Sequence, residues 1–358
     1  MRKLNQKIIN LIKIVFLFYF SLISQIKSSS PLTCLNPEGQ RVDWYVIILL
    51  QESFNKFAYS DNLHNLRVYN TTKENFPPLM QSMALNLGEY NYAVWNDDDI
   101  DEEHESFSTQ AHSKGILAHN EVNGFYLIHS LPRFPYFASD KFHDDFPPNF
   151  GKYAQSFICV SMDLGNLSKV AYELKNIRPK IHEYNTSVLP GSEITKNIER
   201  LVGRKRPKKY AKVVELNSLE GQKFELFIKP NNHKFIPWDN EIPDFYKENF
   251  EVSTWTRPSV LEDDCGENKT INITELKIES MIYTQNQDHS KWGVSENILC
   301  IGDLNRTKSQ LKRSGSVLCT ISPKKARVFR QLVNRLSQTC FISSSKNENK
   351  EENLKFLD

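Results

Sequence analysis

With 358 residues, 39% of them hydrophobic and 25% charged, the chain has an ordinary globular composition and the length of one large domain or two of common size. Its 45 basic residues nearly cancel 43 acidic ones, and a net charge of +2 excludes a whole-chain field that would draw in nucleic acid. Any attraction for a polyanion must be local.

The chain opens on the basic MRKLNQK, runs through the almost wholly apolar IINLIKIVFLFYFSLISQI and reaches the small polar KSSSP. This order predicts a secretory signal peptide over 1–28, cleaved near Ser28–Ser30. The competing reading is a signal anchor, because the apolar run approaches the length of a bilayer span. Lys13 interrupts the run and no stop-transfer signal follows. The expectation is therefore a secreted or lysosomal protein with no stable membrane anchor after cleavage. Six Asn-x-Ser/Thr sequons, at Asn70, Asn166, Asn185, Asn268, Asn272 and Asn305, are expected glycosylation sites on that route. Six cysteines, Cys34, Cys159, Cys265, Cys300, Cys319 and Cys340, point to three disulfides, with fifteen pairings open. No Cys-x-x-Cys or histidine-rich cluster argues for zinc.

VDWYVIILL (42–50) is a continuous apolar, β-branched and aromatic run and reads as a buried strand. LNLGEYNYAVWND (85–97) reads as a turn leading into a strand. GILAHN and VNGFYLIHSL (115–131) predict a hairpin, with Asn123-Gly124 just before its second strand. QSFICVSMDL (155–164) is a further strand, and NLSKVAYELKNI (166–177) has helical spacing that Arg178-Pro179 ends. A looser stretch near 180–205 separates the halves. VVELNSLEGQKFELFIKP (213–230) predicts strand, Glu-Gly turn and strand; TELKIESMIYT (274–284) alternates as a strand does; GSVLCTIS (315–322) is a strand. PKKARVFRQLVNRL (323–336) predicts a helix with Pro323 in its first turn. The polar 343–358 reads as a disordered tail. The domain expectation is thus an N-terminal half over 29–180 and a C-terminal half over 181–342.

The halves share an order of features. AHSKGIL precedes QSFICVS and an amphipathic helix; DHSKWGV precedes GSVLCTIS and another. His289 follows His112 by 177 positions and Cys319 follows Cys159 by 160, a near-constant offset that predicts an internal duplication. Each half carries one His-x-Lys, and in a strand residues two apart share a face. Pairing the halves about a pseudo-twofold axis would bring His112, Lys114, His289 and Lys291 into one cleft.

That set suits phosphodiester cleavage without a metal or other cofactor. One imidazole attacks phosphorus, the other handles the leaving-group and water protons, and the lysines hold the non-bridging oxygens. Cationic lysines push imidazoles below their ordinary pKa of about 6.5, so the chemistry is expected to peak in mild acid and survive a chelator. A single His-x-Lys is more often a solvated surface pair; two in matching contexts shift that balance.

HSKWGVS (289–295), LCIGDLNRTKSQ (299–310), GSVLC (315–319), GFYLIHSLPRFP (124–135), YNYAVWND (90–97), YAQSFICVS (153–161) and LTCLNPEGQRVDWYVI (32–47) closely resemble the deoxyribonuclease II family of metal-independent acid endonucleases. The likeness spans most of the mature chain, least clearly over 180–260. It implies an α+β (mixed α/β) fold, a phospholipase D-like pseudodimer of two sheet-and-helix halves. It implies DNA as substrate, cleaved through a phosphohistidine to 3′-phosphate ends. His112, Lys114, His289 and Lys291 match the family's motifs, and His129 matches a further histidine; analogy with the wider superfamily favours His112 as nucleophile. The implied disulfides are Cys34–Cys159, Cys265–Cys340 and Cys300–Cys319. Asp303 and Arg306, in GDLNR, are secondary candidates, for orienting a histidine and contacting phosphate.

There are departures. The Asp that the wider superfamily places five residues after the lysine is here His119 or Glu296. Many family members follow HSKW with Cys, where this chain has Gly293. The acidic NDDDIDEEHE (96–105) lies just upstream of the first motif and reads as a solvated loop, while GRKRPKKYAK (203–212) is the natural phosphate contact or else a mobile loop. A second function class stays open: a secreted DNA-binding or host-interaction protein on a catalytically dead scaffold. Sequence preference and oligomeric state are not legible.

Overall fold

The computed structural model describes residues 30–50, 56–70, 90–98, 111–134, 137–138, 141–142, 152–203, 210–256 and 259–340. The expected signal peptide, acidic residues 99–105, basic residues 204–209 and the tail from 341 lie outside them.

A short pair, β1 (Cys34–Leu35) and β2 (Arg41–Val42), leads into β3 (Trp44–Leu49). β3 reads as one apolar run because both faces are covered: Trp44, Val46 and Ile48 join one core cluster, Tyr45 and Ile47 another. Next come β4 (Lys56–Asp61), β5 (Arg67–Asn70), β6 (Asn91–Trp95), β7 (Gly115–His119) and β8 (Asn123–His129). β9 (Phe137–Ala138) and β10 (Lys141–Phe142) pair only with each other, and β11 (Gln155–Asp163) and β12 (Ile181–Asn185) follow. The first sheet has eight antiparallel strands in the order β12-β6-β7-β8-β11-β3-β4-β5.

The second sheet is built from β13 (Lys212–Asn217), β14 (Lys223–Lys229), β15 (Phe250–Ser253), β16 (Thr270–Ile278), β17 (Met281–Thr284), β18 (Trp292–Val294), β19 (Ile298–Gly302), β20 (Gly315–Ile321) and β21 (Val333–Leu336). Its order is β13-β14-β20-β19-β18-β15-β16-β17, with β21 also on β16. From Leu32 onward the chain is one compact unit. Its largest core cluster takes one face of each sheet together with the helices Leu164–Leu174, Glu193–Val202 and Pro323–Arg330.

The two sheets correspond residue by residue. Gly115 of β7 lies between Trp95 and Ile128, and Trp292 of β18 lies between Ser253 and Ile301. Ile128 faces Ile158, as Ile301 faces Leu318; Ile158 faces Val46, as Leu318 faces Leu226. Five strands match in register, β6-β7-β8-β11-β3 with β15-β18-β19-β20-β14. The match stops at the first hairpin, whose leading strand is the inner one in the first sheet and the outer one in the second.

Several local expectations need correction. Asn123 and Gly124 are the first residues of β8, not the turn; the turn is Asn120–Val122, closed by the Asn120 side chain accepting from the backbone of Val122 and Asn123. Gly124 is required for a different reason: a Cβ there would meet the Ala118 carbonyl at 1.9 Å. The supposedly loose 180–205 contains β12 and a helix capped by Ser192, so the first sheet reaches past residue 180. TELKIESMIYT is a hairpin, with Glu279 at positive φ between β16 and β17. The last helix ends at Arg330 and the chain returns as β21.

The disulfides are Cys34–Cys159, Cys265–Cys340 and Cys300–Cys319, the pairings the family resemblance implies. Three sequon asparagines are poor glycan acceptors. Asn166 and Asn272 are buried with both amides hydrogen-bonded inside the fold, and Asn305 is buried too. Asn70 is exposed, and Asn185 and Asn268 are partly so. No helix among the described residues is long and apolar enough to cross a membrane.

Candidate active site

Both His-x-Lys triplets lie immediately ahead of their strands, β7 and β18, rather than within them. Each is held by the opposite half. The His112 N–H donates to the Ser314 carbonyl at 2.8 Å, and the His289 N–H donates to the Ala154 carbonyl, also at 2.8 Å. Ser314 and Ala154 sit at matching points, just before β20 and β11, so the two crossings are reciprocal. The Lys291 N–H adds a bond to Ser156 Oγ at 2.9 Å.

The side chains then converge. His112 and His289 keep part of their surface open, whereas Lys114 and Lys291 are buried. Lys291 lies close enough to His112, and Lys114 close enough to both His289 and Lys291, to lower their pKa values. Four cationic or potentially cationic groups from two halves thus share one electrostatic environment.

The surroundings of the two histidines differ. His112 Nδ1 donates to the Asp303 carbonyl, and its Nε2 lies 3.9 Å from Asp97 Oδ2. Asp97 also takes the Lys114 ammonium on Oδ1 and Arg313 Nη2 on Oδ2 at 2.7 Å. Burial would raise the Asp97 carboxyl, but Lys114, His112 and Arg313 together hold it far below the usual carboxylate range. Burial and Lys114, opposed by Asp97, push His112 well below the ordinary imidazole value. His289 instead stacks on Tyr153, centroids 4.3 Å apart and 2° from parallel, and meets Trp255 edge-on at 3.8 Å. Among the described residues its buried Nε2 has no hydrogen-bond partner, and burial with Lys291 and Lys114 pushes its pKa down to about 2. Lys291 donates to the His289 carbonyl at 2.6 Å; burial brings its pKa to about 7.

The secondary candidates separate. Asp303 touches His112 through its backbone carbonyl; its carboxylate accepts from the Ser316 N–H at 2.7 Å and from Ser316 Oγ, and burial pushes its pKa up to about 7. His129 is wholly buried, its N–H on the Lys114 carbonyl and its ring between Phe134 and Phe157. Burial and Lys114 hold it well below its ordinary pKa, so it props the first motif from behind. Arg306 requires a correction: it is buried and donates to Asp239, to Asn272 and to the carbonyls of Leu261 and Glu262. Those bonds leave it no phosphate to contact. Of the basic run, Lys212 pairs with Glu173 at 2.5 Å. Gly293 has no room for the family's cysteine, since a Cβ would meet Trp238 at 2.9 Å.

Asp97, Arg313, Tyr153 and Trp255 were not singled out in the sequence. Asp97 was present as part of an acidic run read as solvated, and Arg313 ends an unremarkable KSQLKR. Among the described residues no group of three or more His, Cys, Asp or Glu is placed to hold a metal ion.

Residues 33–339 match the family model described as deoxyribonuclease II. The chain is 27% identical to cell-death-related nuclease 7 of Caenorhabditis elegans, covering 86% of this chain and 88% of that protein. It is 26% identical to human deoxyribonuclease-2-beta, over 90% of this chain and 96% of the relative, and 26% identical to rat deoxyribonuclease-2-alpha, over 84% and 93%. A match over nearly the whole folded region places the chain plainly within the deoxyribonuclease II family.

Proposed function

We propose that this chain is an acid endodeoxyribonuclease of the secretory pathway, secreted or lysosomal, that hydrolyses DNA phosphodiesters without a metal. The observation that carries the reading is the convergence of His112, Lys114, His289 and Lys291 from two halves, each motif tied by its backbone to the other. One imidazole nitrogen attacks phosphorus, an N–P bond forms and the P–O5′ bond breaks. The second imidazole donates the proton that the 5′ oxygen takes. Water then attacks the phosphohistidine, that same imidazole removes its proton, and the N–P bond breaks to leave a 3′-phosphate. Lys114 and Lys291 offset the charge growing on the non-bridging oxygens. A phospholipase D-like pairing of halves accounts for the five in-register strands. Glycans are proposed at Asn70, Asn185 and Asn268.

Plasmid nicking at about pH 5 with EDTA present tests this. Wild type is expected to nick and His289→Ala to lose at least about a thousandfold, the scale of losing an essential nucleophile or acid. Nicking that requires a divalent metal, or that survives His289→Ala, would refute it.

A further inference from the structure

The register of the two sheets places four further residues at matching points around the histidines. Trp95 faces Gly115 as Ser253 faces Trp292, so Asp97, two residues beyond the first, corresponds to Trp255, two beyond the second. His112 binds the Ser314 carbonyl as His289 binds that of Ala154, so Arg313 corresponds to Tyr153. One pair of positions therefore flanks each histidine. Around His112 the pair is Asp97 and Arg313, an ion pair with 2.7 Å between Oδ2 and Nη2. Around His289 it is Trp255 and Tyr153, rings 4.9 Å apart that enclose the imidazole.

We propose that these exchanged pairs divide the labour: Asp97 and Arg313 position His112 as the proton carrier, and Trp255 and Tyr153 position His289 as the nucleophile. This rests on the phosphohistidine reading above. It reverses the superfamily analogy that favoured His112.

The chemistry follows from the surroundings. A carboxylate beside His112 Nε2 favours the imidazolium, and the Nδ1–H bond to Asp303 fixes the ring so that Nε2 carries the mobile proton. Among the described residues the groups facing His112 are Asp97, Lys114, Arg313, Lys291 and the Asp303 carbonyl, and the carboxylate facing its Nε2 is Asp97. A nucleophile beside that carboxylate would bring an anionic phosphate against it. Among the described residues the charged groups acting on His289 are Lys291 and Lys114, two aromatic rings enclose it, and no donor occupies its Nε2. Once phosphorylated, that ring becomes cationic, and the faces of Trp255 and Tyr153 suit a cation. Attack then proceeds from His289 to phosphorus, while the proton moves from His112 to the 5′ oxygen and returns to His112 from water.

A leaving group that needs no proton separates the roles. Thymidine 3′-(p-nitrophenyl phosphate), mixed with wild type or variant in mild acid with EDTA, reports N–P bond formation as released p-nitrophenol. His112→Ala is expected to release a burst close to one equivalent and then stall, because phosphohistidine hydrolysis lacks its base. His289→Ala is expected to give no burst. A burst from His289→Ala with none from His112→Ala would overturn the assignment. No phosphohistidine in wild type or any variant would instead overturn the underlying reading. Asp97→Asn tests positioning: DNA cleavage should fall while the ester burst persists, and the DNA pH–rate limb should move acidward by about one unit or more, the loss of one near opposite charge. Because Asp97→Asn removes a carboxylate that Lys114 and Arg313 share, its fold is checked by circular dichroism and thermal melt before the assay. Trp255→Asp should suppress the burst. Equal loss on DNA and ester in folded Asp97→Asn would refute the positioning role.

Discussion

Arg306 offers the sharpest test of whether an arginine beside the second motif serves the substrate or the fold. In Arg306→Met the four side-chain contacts to Asp239, Leu261, Asn272 and Glu262 disappear together. The Leu261 carbonyl still accepts from Asn272 Nδ2 at 3.0 Å, so it is not stranded. Asp239 and Asn272 Oδ1 are: burial already raises the Asp239 pKa against the pull of Arg306, and without the guanidinium that carboxylate must protonate or draw in water. Removing one partner of a buried, hydrogen-bonded ion pair costs about 3–5 kcal/mol. For a chain of this size about 2 °C accompanies each kcal/mol, so the apparent melting temperature should fall by about 6–10 °C at fixed scan rate. Differential scanning fluorimetry measures that shift, and DNA affinity across a salt series measures the alternative. An unchanged melting temperature with a salt slope reduced by about one would show a phosphate contact and refute the structural role.

His129→Phe should reveal a histidine buried neutral. A depressed folded pKa contributes stability present above the unfolded value of about 6.5 and lost as pH falls, so the wild type loses about 1.4 kcal/mol per pH unit that the variant keeps. Urea unfolding at about pH 6.5 and pH 4.5 should therefore change the gap between them by about 2–3 kcal/mol in the variant's favour; a constant gap would rule out a neutral buried ring. Gly293→Cys should destabilise by about 1–3 kcal/mol through the clash with Trp238, as overpacked core sites do, and an unchanged thermal melt would contradict that. Replacing both Cys34 and Cys159 by alanine opens a cross-link spanning 125 positions, which a chain-entropy treatment values at about 5 kcal/mol; a loss under about 1 kcal/mol in denaturant melts would contradict that.

What was legible in the sequence was whatever a short window decides. β3, β11 and β20 show as apolar runs because each is covered on both faces, and Pro323 marks a helix start by its fixed φ. β21 was lost because its apolar positions continue the spacing of the helix before it, and only pairing with β16 decides that Val333–Leu336 extend. β12 was lost because an edge strand with half-exposed residues carries little pattern. In the site, His-x-Lys was visible as a repeated triplet. Asp97 was not, because its charge is matched by Lys114 and by Arg313, which lies 216 positions away in the chain. Arg306 misled for the converse reason: its place in GDLNR is local, while its partners come from three other segments of the second half.

The depressed histidines pose a question for the acid chemistry proposed above, and charge counting answers it. Among the described residues, with both imidazoles neutral the site holds Lys114, Arg313 and Lys291 against Asp97 and Asp288, whose pKa burial raises, while Asp303, raised to about 7, is mostly protonated in acid. The balance is positive, and each further proton on a histidine adds to it. A phosphodiester supplies the missing negative charge. At about 4 Å, with an effective dielectric of about 20, that anion interacts with an imidazolium by about 4 kcal/mol, or about three pKa units. His289, depressed by burial and two lysines in the empty site, would rise when DNA is bound, and His112, with Asp97 beside it, would rise from its own depressed value. A neutral His289 and a protonated His112 then coexist best in mild acid. On this account the proposed acid optimum belongs to the enzyme–DNA complex, where the substrate's own charge readies the histidines.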